Sequence, residues 1–184
     1  MNKLFLSLVT VIIISCLSFE TSFAQKFIEY KVNGVAYKAV DDQFISFITK
    51  RTTTKEDDTE QTICKYFTAS ISGIYNFLYT LEFEVNVDTN YKVKNDVFKL
   101  GESIEFYEKL PIAHINLIKH PTSDTYEFYS SEKGTKGNVT ITKVDGDWIE
   151  GTFEGDMIPQ YPLTSKVPVK VTEGKFRFPI EILD

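Results

Sequence analysis

Cysteine, histidine and tryptophan are scarce in this chain of 184 residues, with two, two and one copies. Two cysteines exclude the disulfide scaffold on which many small exported domains rely. No cysteine pair has zinc-ligand spacing and no histidine pair sits at helical spacing, so no metal motif is legible. A basic excess is missing too. Lys and Arg number 20 against 26 Asp and Glu, a formal net charge of −6. That balance argues against nucleic acid and against an anionic membrane surface, both of which select basic proteins. The nine glycines are scattered, without a Gly-x-Ser-x-Gly elbow or a phosphate-cradling loop. No apolar run reaches the roughly 20 residues that span a bilayer. The expected cofactor complement is none.

The chain is 42% apolar and 25% charged, within the ordinary globular range. Its start, MNKLFLSLVTVIIISCLSFETSFAQ, has the three parts of a secretory signal peptide. Lys3 supplies the positive end, Leu4 to Leu17 the apolar stretch, and Ser22-Phe23-Ala24 the small residues a signal peptidase reads. Residues 1–24 are therefore expected to be removed, with cleavage between Ala24 and Gln25, leaving one β-rich domain over 25–184. Ile13-Ile14-Ser15-Cys16 resembles a bacterial lipoprotein box. Lipidation at Cys16 is the alternative, and it is the one route by which membrane association is expected. Either way the mature chain keeps Cys64 as its single ordinary cysteine, expected as a small buried hydrophobe.

Period-two alternation, the mark of half-buried strands, dominates the mature chain. Tyr75, Phe77, Tyr79, Leu81, Phe83, Val85 and Val87 alternate with mainly polar residues. Thirteen residues would make a strand near 44 Å long, expected to bend or to serve two sheets. Phe67, Ala69 and Ile71 form a similar set before a turn at Ser72-Gly73. Asn33-Gly34 predicts a type I′ hairpin pairing Val32 with Val35 and Tyr30 with Tyr37. Around Asp145-Gly146-Asp147 a three-residue loop is expected, because it pairs Val139 with Phe153 and keeps Ile141 on the apolar face. A last hairpin is predicted to turn at Glu173-Gly174 and to lie at a sheet edge, since its register opposes Pro168 to Pro179. Further strands fall near 43–50, 112–119 and 125–129, and the acidic run Lys55 to Glu60 reads as a solvated loop. No amphipathic helix is legible beyond the signal peptide. The fold class is all-β: an antiparallel sandwich or barrel-like fold of about ten strands.

The residues that carry chemistry are few. His114 and His120 share a strand face about 20 Å apart, too far to hold one metal ion. Asp145, Asp147 and Glu150 cluster at a turn where Asp and Gly are wanted for backbone reasons. Glu82 and Glu84 share a face at about 7 Å, whereas a retaining glycosidase needs about 5–5.5 Å across a cleft. Aromatics are plentiful: beyond the signal peptide stand 12 Phe, 10 Tyr and one Trp. Cross-strand pairs and core packing account for most of them. Exposed rings on a β face would suit sugar stacking, and an inward set would line a ligand-holding barrel. Trp148, beside Asp145 and Asp147, is the predicted contact for a partner.

The segments KFIEYKVNGVAYKA, GNVTITKVDGDWIEGTF and KVTEGKFRF resemble an exported β-rich family of unknown function common in Bacteroidota. Its marks are an Asn-Gly-x-x-aromatic opening, a Gly-x-Val-Thr-Ile-Thr-Lys-x-Asp hairpin followed by Gly-Thr-Phe, and a late Gly-Lys-Phe. Here Tyr37 is the opening aromatic and the hairpin spans Gly137 to Phe153. The resemblance implies an envelope location and a sandwich or barrel-like fold, with no activity and no catalytic residues to carry over. Many members are lipoproteins, from which cleavage at Ala24 departs.

The expectation is an exported, non-catalytic protein of the periplasm, outer envelope or extracellular space that binds a protein, glycan or small apolar ligand through its surface. The alternatives are a lipocalin-like carrier of a small apolar ligand and, behind it, a glycan hydrolase.

Overall fold

A computed structural model describes residues 25–54, 60–71, 77–101, 110–122, 125–132, 135–161 and 167–181. The signal peptide with Cys16 and Ala24, the Ser72-Gly73 turn and residues 55–59 of the acidic run lie outside them. Gln25 is exposed and its side chain donates to Asp41 Oδ2 at 3.1 Å.

The fold is all-β. The strands are β1 (Phe27–Val32), β2 (Val35–Val40), β3 (Phe44–Thr54), β4 (Glu60–Ile71), β5 (Tyr79–Val87), β6 (Asp96–Lys99), β7 (Ile112–Thr122), β8 (Thr125–Ser130), β9 (Gly137–Asp145), β10 (Trp148–Tyr161) and β11 (Val169–Pro179). A 3-10 turn over Asp41–Gln43 is the only helical piece among the described residues. All strand pairs are antiparallel, and the sheet curls into a half-barrel.

Two layers make this curl. The front layer runs β2-β1-β11-β10-β9-β6 and the back layer β3-β4-β5-β7-β8. β10 belongs to both: Trp148 to Met157 pair with β11 in front, while Ile158, Pro159 and Tyr161 pair with β8 behind. A parallel bridge from Leu100 to Ala113 stitches the end of β6 to β7. The Ile48 N–H donates to the Glu181 carbonyl at 2.7 Å, tying the β3 edge to the chain beyond β11.

Alternation places the core as the sequence predicts. Leu81, Phe83, Val85 and Val87 are buried, as are Phe67, Ala69 and Ile71 on the neighbouring strand. Ring contacts along β5 report how the layers cross. Tyr79 meets Tyr37 of β2 at 5.9 Å, and Phe83 meets Phe176 of β11 at 5.0 Å and Phe153 of β10 at 5.4 Å. Farther along, Phe67 of β4 meets Phe98 of β6 at 5.7 Å. β5 thus runs across the front strands, the near-perpendicular way of packing two sheets.

The Asn33-Gly34 hairpin has the predicted register, Val32 with Val35 and Tyr30 with Tyr37. Positive φ at both Asn33 (48°) and Gly34 (86°) is what a type I′ turn requires. Three expectations are corrected. Of the strand expected over Tyr75 to Val87, residues 75 and 76 lie outside the described residues and Phe77 and Leu78 precede β5, which begins at Tyr79; it is β10 that serves two layers. The hairpin of β9 and β10 has a two-residue Gly146-Asp147 loop, since Asp145 pairs with Trp148. Positive φ falls on Gly146 alone of those two, suiting a type II′ turn. An extra residue in β9, Thr142, then shifts the register so that Ile141 meets Gly151 and Val139 meets Phe153 after all.

The third correction is larger. Glu173-Gly174 is no turn: β11 runs unbroken through it, in the middle of the front layer between β1 and β10. Glu173 takes φ 52° as a bulge, and the register slips by one residue against both neighbours there. Gly174 is wanted for space, because a Cβ would lie 2.6 Å from the Phe153 ring.

Candidate functional site

Trp148 stands at the start of β10, between Asp145 of β9 and Pro179 of β11. It is half-buried, and the Arg177 guanidinium lies over its ring at 5.2 Å. Arg177 approaches Glu150 at 3.6 Å, Glu150 approaches Lys143 at 3.8 Å, and Lys143 holds Asp145 at 2.9 Å. That hydrogen bond holds the Asp145 carboxyl below its ordinary range and pushes the Lys143 ammonium up. Asp147 is exposed at the turn, and its carbonyl accepts from Ile180 N–H. The structure therefore gathers Trp148 and Asp145 into one lattice and leaves the Asp147 side chain outside it.

Alternating charges continue across the front face. Glu29 sits between Lys38 at 3.8 Å and Lys175 at 3.4 Å, and Lys31 pairs with Glu173 at 2.7 Å. Exposed pairs of this kind add little stability each. Between the rows lie shallow depressions of about 340 and 380 Å³ that share Glu173 and Lys175.

A second polar group occupies the face of the back layer turned away from Phe83. His114 is buried there. Its Nδ1 lies 2.9 Å from Ser131 Oγ and 3.3 Å from the Gly101 carbonyl, and its Nε2 lies 2.8 Å from Asn116 Oδ1 and 3.1 Å from Ser130 Oγ. Nearby, Arg51 donates to both oxygens of Glu84 at 2.9 and 3.0 Å, and Asn86 adds a third bond to that carboxylate. Cys64 shares this face but is two strands and four residues from His114 by register, about 16 Å away. The two cannot form a thiolate–imidazole pair.

Cys64 is fully buried, and burial pushes its thiol up. We expect iodoacetamide to leave Cys64 unmodified in the native protein and to alkylate it fully in guanidinium, read by peptide mass mapping. Native labelling at the rate of a free thiol would contradict this placement.

The third group lies inside the curl and was not legible as a site. Tyr30 and Tyr37 stack at 5.4 Å, Tyr37 meets Tyr79 edge-on, and the Tyr30 hydroxyl donates to the Tyr79 carbonyl at 2.9 Å. Beside them Lys119 donates to Glu127 at 2.7 Å, and the Tyr129 hydroxyl donates to the same carboxylate. Desolvation raises the phenols of Tyr30, Tyr37 and Tyr79. The signal was period two: Lys119 follows Ile115 and Leu117 on one face, and Glu127 lies opposite it.

The Lys119 and Tyr129 hydrogen bonds lower the Glu127 carboxyl from its ordinary 4.5, and the Glu127 bond raises Lys119 from 10.5. The stability from Glu127 is complete above its unfolded value and lost as pH falls through the lowered folded value. That from Lys119 is complete below its unfolded value and lost as pH rises through the raised one. Glu127→Gln should flatten the acid limb of a stability–pH curve below about pH 4.5. An unchanged acid limb would show that the pair contributes nothing.

No protein-family model matches this chain, and no match is found among curated proteins or solved structures.

Proposed function

We propose that this chain is an exported, non-catalytic protein of the cell envelope or its surroundings that acts by binding through its outer faces. One observation carries the reading. The Phe83 ring is in contact with Phe153, Phe176 and Phe178, at 5.4, 5.0 and 6.2 Å, so the space between the layers at β5 is occupied by the protein's own side chains. Binding then falls to the surfaces. The charged lattice with Trp148 at its corner is one such surface, and Trp148, Asp145 and Asp147 are its predicted contacts.

The competing reading is a carrier of a small apolar ligand, and the tyrosine-lined inner end of the curl favours it. Delipidated protein titrated with an apolar fluorophore separates the two. Surface binding predicts weak, non-saturating uptake. Saturation at one site per chain, lost in Phe83→Trp or Tyr37→Ala, would favour the carrier.

A further inference from the structure

The end of the front layer away from Trp148 holds four charges that the lattice does not absorb. Along β10, about 27 Å from Trp148, Asp156 pairs in register with Lys170 of β11. On its other side the Asp156 N–H donates to the Lys136 carbonyl at 3.0 Å, just before β9 begins. Glu154 lies two residues back on the same outward face, and these four residues line a depression of about 210 Å³. Its remaining lining is Gly137 and Gly155, which face each other across β9 and β10. Packing beneath requires glycine at both. A Cβ at Gly155 would lie 2.4 Å from Leu100 Cδ1, and one at Gly137 would lie 2.3 Å from the Glu154 carbonyl oxygen. The depression sits where the register of β10 against β11 slips, between Phe153 and Gly155.

The isolation of these charges sets them apart. Elsewhere on this face opposite charges close to within 4 Å, as Glu29 does with Lys175 and Glu150 with Arg177. Here Asp156 and Lys170 are neighbours in register, yet none of the four side chains makes an ion pair or hydrogen bond with a described residue. The signs select the occupant. A simple anion would bring its charge to two carboxylates, and a simple cation would bring its charge to two ammoniums. An uncharged molecule would displace water from all four and return no ion pair. A molecule carrying one ammonium and one carboxylate finds a charged partner for each. The volume lies below the roughly 300–1,000 Å³ of drug-sized sites, so the molecule is small. A quaternary ammonium headgroup selects aromatic walls, and no ring lines this depression among the described residues. A protein partner wants an apolar centre to its contact, which four charges around two glycines do not give.

We propose that Lys136, Glu154, Asp156 and Lys170 bind a small zwitterion, a free amino acid or a short peptide, by its carboxylate and its ammonium. The site goes beyond the surface-binding reading, which places its contacts at Trp148, and neither depends on the other. The test is a two-dimensional amide NMR titration of the mature protein at fixed ionic strength. The probes are glycine, alanine, serine and diglycine, with acetate and methylammonium as the two halves alone. Saturating shifts of the Gly137, Gly155 and Asp156 amides are expected with at least one zwitterion. Tighter binding of diglycine than of the amino acids would assign a peptide, and the reverse a free amino acid. Acetate and methylammonium should each need roughly tenfold more, since each recovers one charge-assisted bond of the two. Asp156→Asn and Lys170→Gln should each weaken the zwitterion roughly tenfold for the same reason. The amide spectrum of each variant shows whether it is folded. Lys136→Gln, exposed and outside any strand, carries the test should a strand variant misfold. No saturating shift with any zwitterion, an equal response to acetate or methylammonium alone, or undiminished binding by the folded variants would each overturn the site.

Discussion

Phe83→Ala is expected to cost roughly 3–5 kcal/mol of folding stability, the range for deleting a buried aromatic ring. Phe83 is fully buried on β5, where that strand passes under β10 and β11. Its ring touches Phe153, Phe176 and Phe178, and Phe176 and Phe178 also touch each other at 5.2 Å. Removing it takes the shared member from a cluster that joins the two layers, and rings held by backbones in both cannot all collapse into the gap. Typical domains are stable by only about 5–15 kcal/mol, so this variant would lose a large share of its stability. Phe83→Leu keeps more of the volume and should cost less, leaving a folded protein for comparison. Denaturant melts followed by the emission of Trp148, the single tryptophan, give both numbers. A loss below about 1 kcal/mol for Phe83→Ala would mean that the ring is not a junction.

Gly151→Ala should cost about 3 kcal/mol, the upper part of the usual range for overpacking, although it adds one methyl. A Cβ at Gly151 would lie 2.1 Å from the Thr140 carbonyl oxygen and 2.3 Å from Phe176 Cζ. The first neighbour is backbone and the second a ring already wedged under Phe83, so neither yields cheaply. Gly151 also sits where the extra residue of β9 enters the register. Moving β9 away would strain the bulge that restores Ile141 and Val139 to the core. The contrast is Gly34→Ala, where a Cβ meets nothing within 4 Å but φ is +86°. The same denaturant melts apply, and the Gly34 loss should come from backbone strain alone. If Gly151→Ala proved neutral, the close approach of β9 to β10 would be wrong.

How much of this was legible depended on whether a signal was local. Asn33-Gly34 sets its own turn, and the pairing of Tyr30 with Tyr37 follows from two residues. Alternation set the inner face of β5 because a residue's side of a sheet depends only on parity. Glu173-Gly174 shows where this ends. A residue with positive φ followed by glycine has the composition of a turn, and only the strands on both sides make it a bulge. Pro168 and Pro179 pointed to an edge, but Pro179 closes β11 opposite Trp148 at its last residue, where a missing donor costs little. The two-residue loop at Gly146-Asp147 was likewise hidden, since the bulge at Thr142 restores the register that a three-residue loop would give. The site residues followed the same rule. The closeness of Trp148 to Asp145 was readable from their turn, whereas that of Lys119 to Glu127 depends on pairing between strands distant from the hairpin signals.

The central claim, that the space between the layers is filled by side chains and binding belongs to the surface, meets its most direct test in mass spectrometry. The protein purified from its own cells would be weighed under native and then denaturing conditions. The account predicts that no stoichiometric apolar adduct separates the two masses, whether the chain starts at Gln25 or at a lipidated Cys16. A one-to-one apolar adduct, present in the native spectrum and lost on denaturation, would contradict it and make the protein a carrier.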